Sequence, residues 1–225
     1  MEQTRSALEE LSHDDSSRKR FLRMVGGAGA AGALAIFMAA CGDDDDKEGG
    51  AQSGGDGSAA KSGGTSDAEI VNYALTLEFL EADFYQQVLD SGEITDPKIV
   101  EAAKLIAQNE QEHVDALMAT AKQLGGEVAK KPQTKFDDVL AGGQKKILQT
   151  AAEVENLGAA AYLGQADKIS DPKVLAAALS IHSVEGRHAA VLNDLVGEPF
   201  LPDGAFAKPV SMAEVLRQVK PFIAA

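Results

Sequence analysis

Tryptophan is absent from this 225-residue chain, and cysteine occurs once, at Cys41. A single thiol excludes an intramolecular disulfide, a Cys-based zinc site and a Cys-ligated iron–sulfur cluster. Basic residues are few, 21 Lys and Arg against 35 Asp and Glu, for a formal net charge of −14. With no basic stripe to neutralise a phosphate backbone, the composition argues against nucleic acid as a partner. No Gly-rich loop of the phosphate-cradling kind is present either. The uncharged stretch Met24–Ala40 holds only 17 residues, rich in Gly and Ala. A membrane span needs about 20 predominantly apolar residues.

That stretch reads instead as the core of an export signal covering residues 1–41. A basic block precedes it, Ser17-Arg18-Lys19-Arg20-Phe21-Leu22-Arg23, and small residues follow. The block resembles the twin-arginine export motif, with Lys19 in place of the second arginine, which leaves the general secretion route open. Met38-Ala39-Ala40-Cys41 resembles a bacterial lipobox, so the expected product is a lipoprotein that begins at a lipidated Cys41. Residues 42–66 are Gly, Ser, Asp and Lys with hardly an apolar side chain. Such a segment cannot bury enough surface to offset its ordering entropy, and it is expected to be a disordered linker. The implied location is the outer face of the cytoplasmic membrane, held by a lipid anchor.

Residues 67–225 remain for one domain, and the helical period dominates them. Ile70, Ala74, Leu77, Glu78, Glu81, Phe84, Tyr85 and Val88 form one stripe of a first helix, which Gly92 ends. Asp96-Pro97 opens a second helix, running to about Leu124, with a capping side chain and a proline in the first turn. A connection over Glu127–Gly142 is long enough to cross a bundle rather than hairpin back. A third helix covers about 143–166, Asp171-Pro172 opens a fourth that ends near Gly197, and Ser211-x-x-Glu214 caps a short fifth.

Two of these helices carry the same pair, Glu110-x-x-His113 and Glu185-x-x-His188. Residues three apart leave one face of a helix about a turn apart. The likeness extends further: Glu78 precedes Tyr85 by seven residues as Glu155 precedes Tyr162, and Asp96-Pro97-Lys98 is matched by Asp171-Pro172-Lys173. The domain therefore reads as two copies of one helix hairpin, each supplying two glutamates and one histidine near mid-helix. Paired Glu-x-x-His helices with a lone glutamate on each of two others make the constellation of di-iron and di-manganese carboxylate bundles.

Glu78, Glu110, His113, Glu155, Glu185 and His188 are thus the candidate metal ligands. Oxygen and nitrogen donors without thiolate suit two Fe or Mn ions, and also Zn. Each glutamate lies in an Ala/Leu/Val/Ile-rich run, where a lone buried charge would be costly. Glu81, a turn beyond Glu78, is a candidate extra ligand, although its repeat counterpart is Gly158. Glu112 and Glu153 should point elsewhere, and His182 reads as a packed histidine. Tyr85 and Tyr162, the candidate catalytic pair, stand either as core aromatics or as hydrogen-bond partners of the site.

These motifs resemble the ferritin-like superfamily of rubrerythrins and bacterioferritins, and within it the bacterial exported ferritin-like domain proteins, sometimes called desiccation-related. Leu77-Glu78-Phe79-Leu80-Glu81-Ala82 and Val184-Glu185-Gly186-Arg187-His188-Ala189-Ala190 are the most specific strings. The resemblance implies an all-α fold, a four-helix bundle with one long crossover between the second and third long helices. It also implies the same six ligands and the oxidation of paired Fe(II) by O2 or peroxide in stress defence. Unlike rubrerythrins, the chain has no Cys-x-x-Cys iron module, so an external electron donor is implied. A lipid tether fits a closed storage cage poorly, which favours ferroxidase or peroxidase chemistry, and a homodimer is an open assembly. The competing expectation is a metal-free or structurally metallated stress or interaction protein built on the same bundle.

Overall fold

The computed structural model describes residues 65–125 and 127–224. The expectations for the export signal, the lipidated Cys41 and the linker up to residue 64 lie outside the described residues. Within them the chain forms α1 (Asp67–Ser91), α2 (Pro97–Gln123), the single turn α3 (Asp137–Leu140), α4 (Gly143–Leu163), α5 (Pro172–Val196) and α6 (Met212–Val219). No β-strand occurs among the described residues; one isolated antiparallel bridge joins Thr134 to Ile223. The architecture is an all-α bundle of four long helices, with α3 inside the crossover and α6 as the short C-terminal helix.

The ends of the helices follow from local chemistry. Ser66, expected at the end of the linker, belongs instead to the domain. Its side chain accepts from Glu69 N while the Glu69 carboxylate accepts from Ser66 N at 2.7 Å, a reciprocal capping box. Asp96 and Asp171 cap α2 and α5 identically, each carboxylate accepting from the lysine N–H two residues on at 2.8 Å, with proline in the first turn. Gly92 and Gly197 end α1 and α5 at φ of 67° and 80°. A side chain there would meet no neighbour, so the requirement is purely the left-handed backbone.

The helices pack chiefly as two hairpins, α1 along α2 and α4 along α5. The short turn of each hairpin makes its helices antiparallel, which brings mid-helix residues to one level. The crossover between hairpins is fastened to the outer side of α1. Asn72 donates from Nδ2 to Glu127 O at 2.8 Å and accepts from Ala129 N at 2.7 Å. Asp83 pairs with Lys131 and accepts from the Thr134 hydroxyl. At the start of the bundle, the Asp67 carboxylate accepts from the backbone of Ser170 and Asp171, tying α1 to the turn that opens α5.

Two apolar clusters flank the middle of the bundle. One contains Phe84, Ile106, Ile147 and Leu192, and the crossover contributes Phe136 and Val139 to it. The other is built from Val71, Leu75, Leu117, Val174 and Ile181. Phe136 sits 4.9 Å from Phe84 and 5.3 Å from Phe222, ring centre to ring centre. The C-terminal segment is held to the crossover by Lys135 N to Phe222 O at 2.9 Å and Ala224 N to Gln133 O at 2.8 Å. Crossover and tail therefore close one side of the core together. A Phe136→Ala variant should lose about 3–5 kcal/mol of unfolding free energy, the usual cost of emptying a buried aromatic site. Chemical denaturation measures this, and a loss under about 1 kcal/mol would mean that the crossover does not belong to the core.

Candidate metal centre

The four helices each turn one glutamate inward. Glu78 on α1, Glu110 on α2, Glu155 on α4 and Glu185 on α5 all have no accessible surface, and His113 and His188 join them from α2 and α5. His113 Nδ1 lies 3.2 Å from Glu78, 3.3 Å from Glu110 and 3.0 Å from Glu185. His188 Nδ1 lies 3.0 Å from Glu110 and 3.2 Å from Glu155. The imidazole centres are 6.4 Å apart.

Two overlapping quartets result, each able to hold a metal ion through atoms within 4.8 Å of one another. One is Glu78, Glu110, His113 and Glu185; the other is Glu110, Glu155, Glu185 and His188. Glu110 and Glu185 belong to both. The glutamates that precede the histidines are thus the shared pair, while Glu78 and Glu155 are terminal. The repeat therefore appears in space as a pseudo-two-fold arrangement.

The tyrosines reinforce it by crossing between repeats. Tyr85 of the first hairpin donates its hydroxyl to Glu155 Oε1 of the second at 2.6 Å, and Tyr162 donates to Glu78 Oε1 at 2.5 Å. Burial and the adjacent carboxylate raise both phenols well above their ordinary value. Both remain protonated donors and fix one oxygen of each terminal glutamate.

Residues 66–198 match the family model of the ferritin-like domain. The chain belongs to the ferritin-like family. Among curated proteins no match was found. The matched span starts at the Ser66 cap and ends just after α5, so it contains all four inward helices of the ferritin-like bundle.

The donor set of this ferritin-like centre is suited to holding metal ions. Glu110 Oε1, Glu155 Oε2, both oxygens of Glu185 and His188 Nδ1 are buried without a hydrogen-bond partner. His188 Nδ1 is near two carboxylates, but neither is aligned for a hydrogen bond. Buried polar atoms are normally paired, and such a cluster of exceptions is the mark of an ion site.

Without cations, protons must take up the charge. Burial raises Glu185 well above the carboxylate range, aided by Glu110 and Glu78. Burial also raises Glu78, to about 7, although His113 opposes it. Glu110 behaves differently: burial pushes it up, but the two facing histidines outweigh that and hold it below the ordinary range. Burial works against the His188 imidazolium, yet Glu110 and Glu155 overcome this and raise it to about 10.

Other candidates fall into place around the six. Glu81 is buried, with its carboxylate pressed against Gly158 and near Glu185. A Cβ at Gly158 would come within 2.8 Å of Glu81 Oε1 and 3.3 Å of Glu185 Oε2. The glycine that breaks the repeat thus makes room for the extra acid, which burial and Glu185 keep well above its usual pKa. Glu81 is in neither quartet. Glu112 turns to Gln108 at 3.1 Å on the outer side of α2, and Glu153 is exposed. His182 Nδ1 faces Ala159 O at 3.0 Å, away from the site.

Asn109 escaped the sequence reading. Its Oδ1 lies 3.1 Å from His188 Nε2 and accepts from that N–H, which turns Nδ1 toward Glu110 and Glu155. The matching position in the second hairpin is Val184, so the repeat gave no signal for it.

Two of the raised groups, Glu78 and His188, predict how stability varies with pH. Folded Glu78 keeps its proton up to about 7, against 4.5 as the unperturbed value. The folded state is therefore favoured below pH 4.5 and loses that contribution as pH rises to 7. His188 contributes fully below 6.5 and loses its contribution as pH rises through 10. Both act in one direction, so the Tm of the metal-free protein should fall as pH rises from about 5 to 9. Cations need deprotonated ligands, so the Tm difference between metal-loaded and metal-free protein should widen over the same range. Circular-dichroism melts read both, and a metal-free Tm that climbs throughout would contradict the assignment.

Proposed function

We propose that this ferritin-like protein is a di-iron, or alternatively di-manganese, carboxylate oxidoreductase that oxidises Fe(II) or reduces O2 or peroxide in stress defence. The observation that carries this reading is the pair of overlapping quartets sharing Glu110 and Glu185. Glu78 and His113 would hold one ion, Glu155 and His188 the other, and the shared glutamates would span both. What such a pair supplies when bound is two electrons, one from each ion, for reduction of the oxidant.

The chain's own residues do the rest. Tyr85 and Tyr162 hold Glu155 and Glu78 by one oxygen each, so only the other oxygen of each is free to face inward. Asn109 holds the Nε2–H of His188, so that Nδ1 would offer its lone pair to an ion. The apolar clusters above and below exclude bulk water from the carboxylates. Glu81, protonated beside Glu185, offers a buried proton on an oxygen next to the shared ligand.

Anaerobic loading with Fe(II) or Mn(II) should give about two ions per chain, the stoichiometry of a two-metal site. His113→Ala, His188→Ala and Glu185→Ala should each lower metal content and abolish Fe(II) oxidation under O2 or H2O2, whereas Glu112→Ala should do neither. Elemental analysis with oxidation kinetics checks this. A wild-type protein that stays metal-free after loading would leave a structural bundle as the function.

The reading also includes export and tethering through Cys41, supported by the basic block, the short apolar core and the lipobox-like Met38–Cys41. No helix among the described residues is long and apolar enough to cross a membrane. Wild-type protein should need detergent for release and take up radiolabelled lipid, and Cys41→Ser should lose the label. Release of the wild type by high salt alone would contradict the anchor.

A further inference from the structure

The duplication that builds the metal centre lets the outer faces of its two histidine helices be compared position by position. In the register that pairs Glu110 with Glu185 and His113 with His188, the outward side of α2 carries Lys104, Gln108, Gln111 and Asp115. The same positions on α5 hold Leu179, Ser183, Gly186 and Ala190. The outer side of α2 is the polar face of a helix that meets water. That of α5 is not, although the inward sides of the two helices do the same work.

Exposed apolar side chains gather where the polar ones are missing. Seven large ones are exposed among the described residues. Leu179, Val191 and Leu195 stand on α5, Phe200 and Leu201 directly follow its end, and none stands on α1, α2 or α4. Single apolar residues scattered over a surface are ordinary, but five of seven on one helix and its exit mark a face that binds something.

Two charges remain on this face, Arg187 and Asp194. Both are exposed, and neither enters an ion pair among the described residues. They stand seven residues apart, about two helical turns, and so point the same way. The midpoint between them falls at Ala190 and Val191, the first a small residue and the second an exposed apolar one. Two copies of α5 laid antiparallel about a two-fold axis at that midpoint set Arg187 of each against Asp194 of the other. Val191 then meets its own copy, and the end of α5 with Phe200 and Leu201 reaches the level of the other copy's Leu179.

We propose that the outer face of α5 is the interface of an antiparallel homodimer, held by apolar contact around Val191 and by two symmetric Arg187–Asp194 pairs. Glu185 and His188 face the other way on the same helix, so the dimer sets its two metal centres back to back across one pair of helices. The interface does not depend on the di-metal reading.

Sedimentation velocity of the full chain, with Cys41→Ser so that no lipid takes part, should give twice the 23.5 kDa chain mass at micromolar concentration, with or without metal. Arg187→Asp and Asp194→Arg should each weaken the dimer by about tenfold or more, because each sets like charges together at both contacts. Mixing the two variants should restore association, since every contact between them then joins opposite charges; a defect within one chain is not repaired by mixing. Val191→Asp, which alters neither charge, should also yield monomers with an unchanged helical circular-dichroism spectrum. Lys104→Asp, on the matching face of α2, should leave the mass at that of a dimer. A monomeric wild type overturns the proposal, and its flotation with neutral phosphatidylcholine vesicles would assign the face to lipid instead. A dimer that survives Val191→Asp and both charge variants overturns it as well, because the copies then meet elsewhere. Metal uptake by a monomeric wild type would leave the di-metal reading intact while this one fails.

Discussion

Five glutamates lie in the core of this bundle, and no lysine or arginine among the described residues reaches them; two imidazoles are their cationic partners. An apolar interior cannot hold that many isolated carboxylates in charged form. Either protons or cations must be taken up there, and the rest of the structure follows from that requirement. The long helices supply rigid positions for the acids, the flanking apolar clusters keep water out, and the tyrosine hydroxyls hold the terminal carboxylates in place. A core designed only for stability would place leucine where Glu78, Glu110, Glu155 and Glu185 stand.

Duplication is the simplest way to satisfy the requirement. One hairpin supplies Glu78, Tyr85, Glu110 and His113; the other supplies Glu155, Tyr162, Glu185 and His188. Neither hairpin builds half the site alone. His113 of the first faces Glu185 of the second, His188 faces Glu110, and each tyrosine holds the other repeat's terminal acid. The hairpins are therefore coupled through the site as well as through the core, and the crossover fastened by Asn72 and Asp83 keeps them in register.

The departures from symmetry are as informative as the symmetry. Glu81 against Gly158, Asn109 against Val184 and Gln165 against Val88 all add a polar group to one half only. These three differences place a buried acid beside Glu185, an amide oxygen against His188 Nε2, and an amide side chain near Tyr162.

The bundle was legible in the sequence because its determinants are local. Apolar period, Asp-Pro caps and terminal glycines act within a few residues, so helices and their ends could be placed to within about three residues; Ser66 crossed the expected boundary, since its capping partner Glu69 lies inside the helix, and α4 ends at Leu163 rather than near 166. The Glu-x-x-His pairs and the repeat register picked out the six residues that the bundle brings together, because helix geometry puts residues three apart on one face. Other features depend on distances between helices that no local pattern encodes. Only tertiary structure decided that Glu110 and Glu185 are the shared acids, that the tyrosines cross between hairpins, and that Asn109 orients His188. The same holds for the depth of Glu81, which becomes a core residue through the space left by a glycine on another helix, 77 positions along the chain.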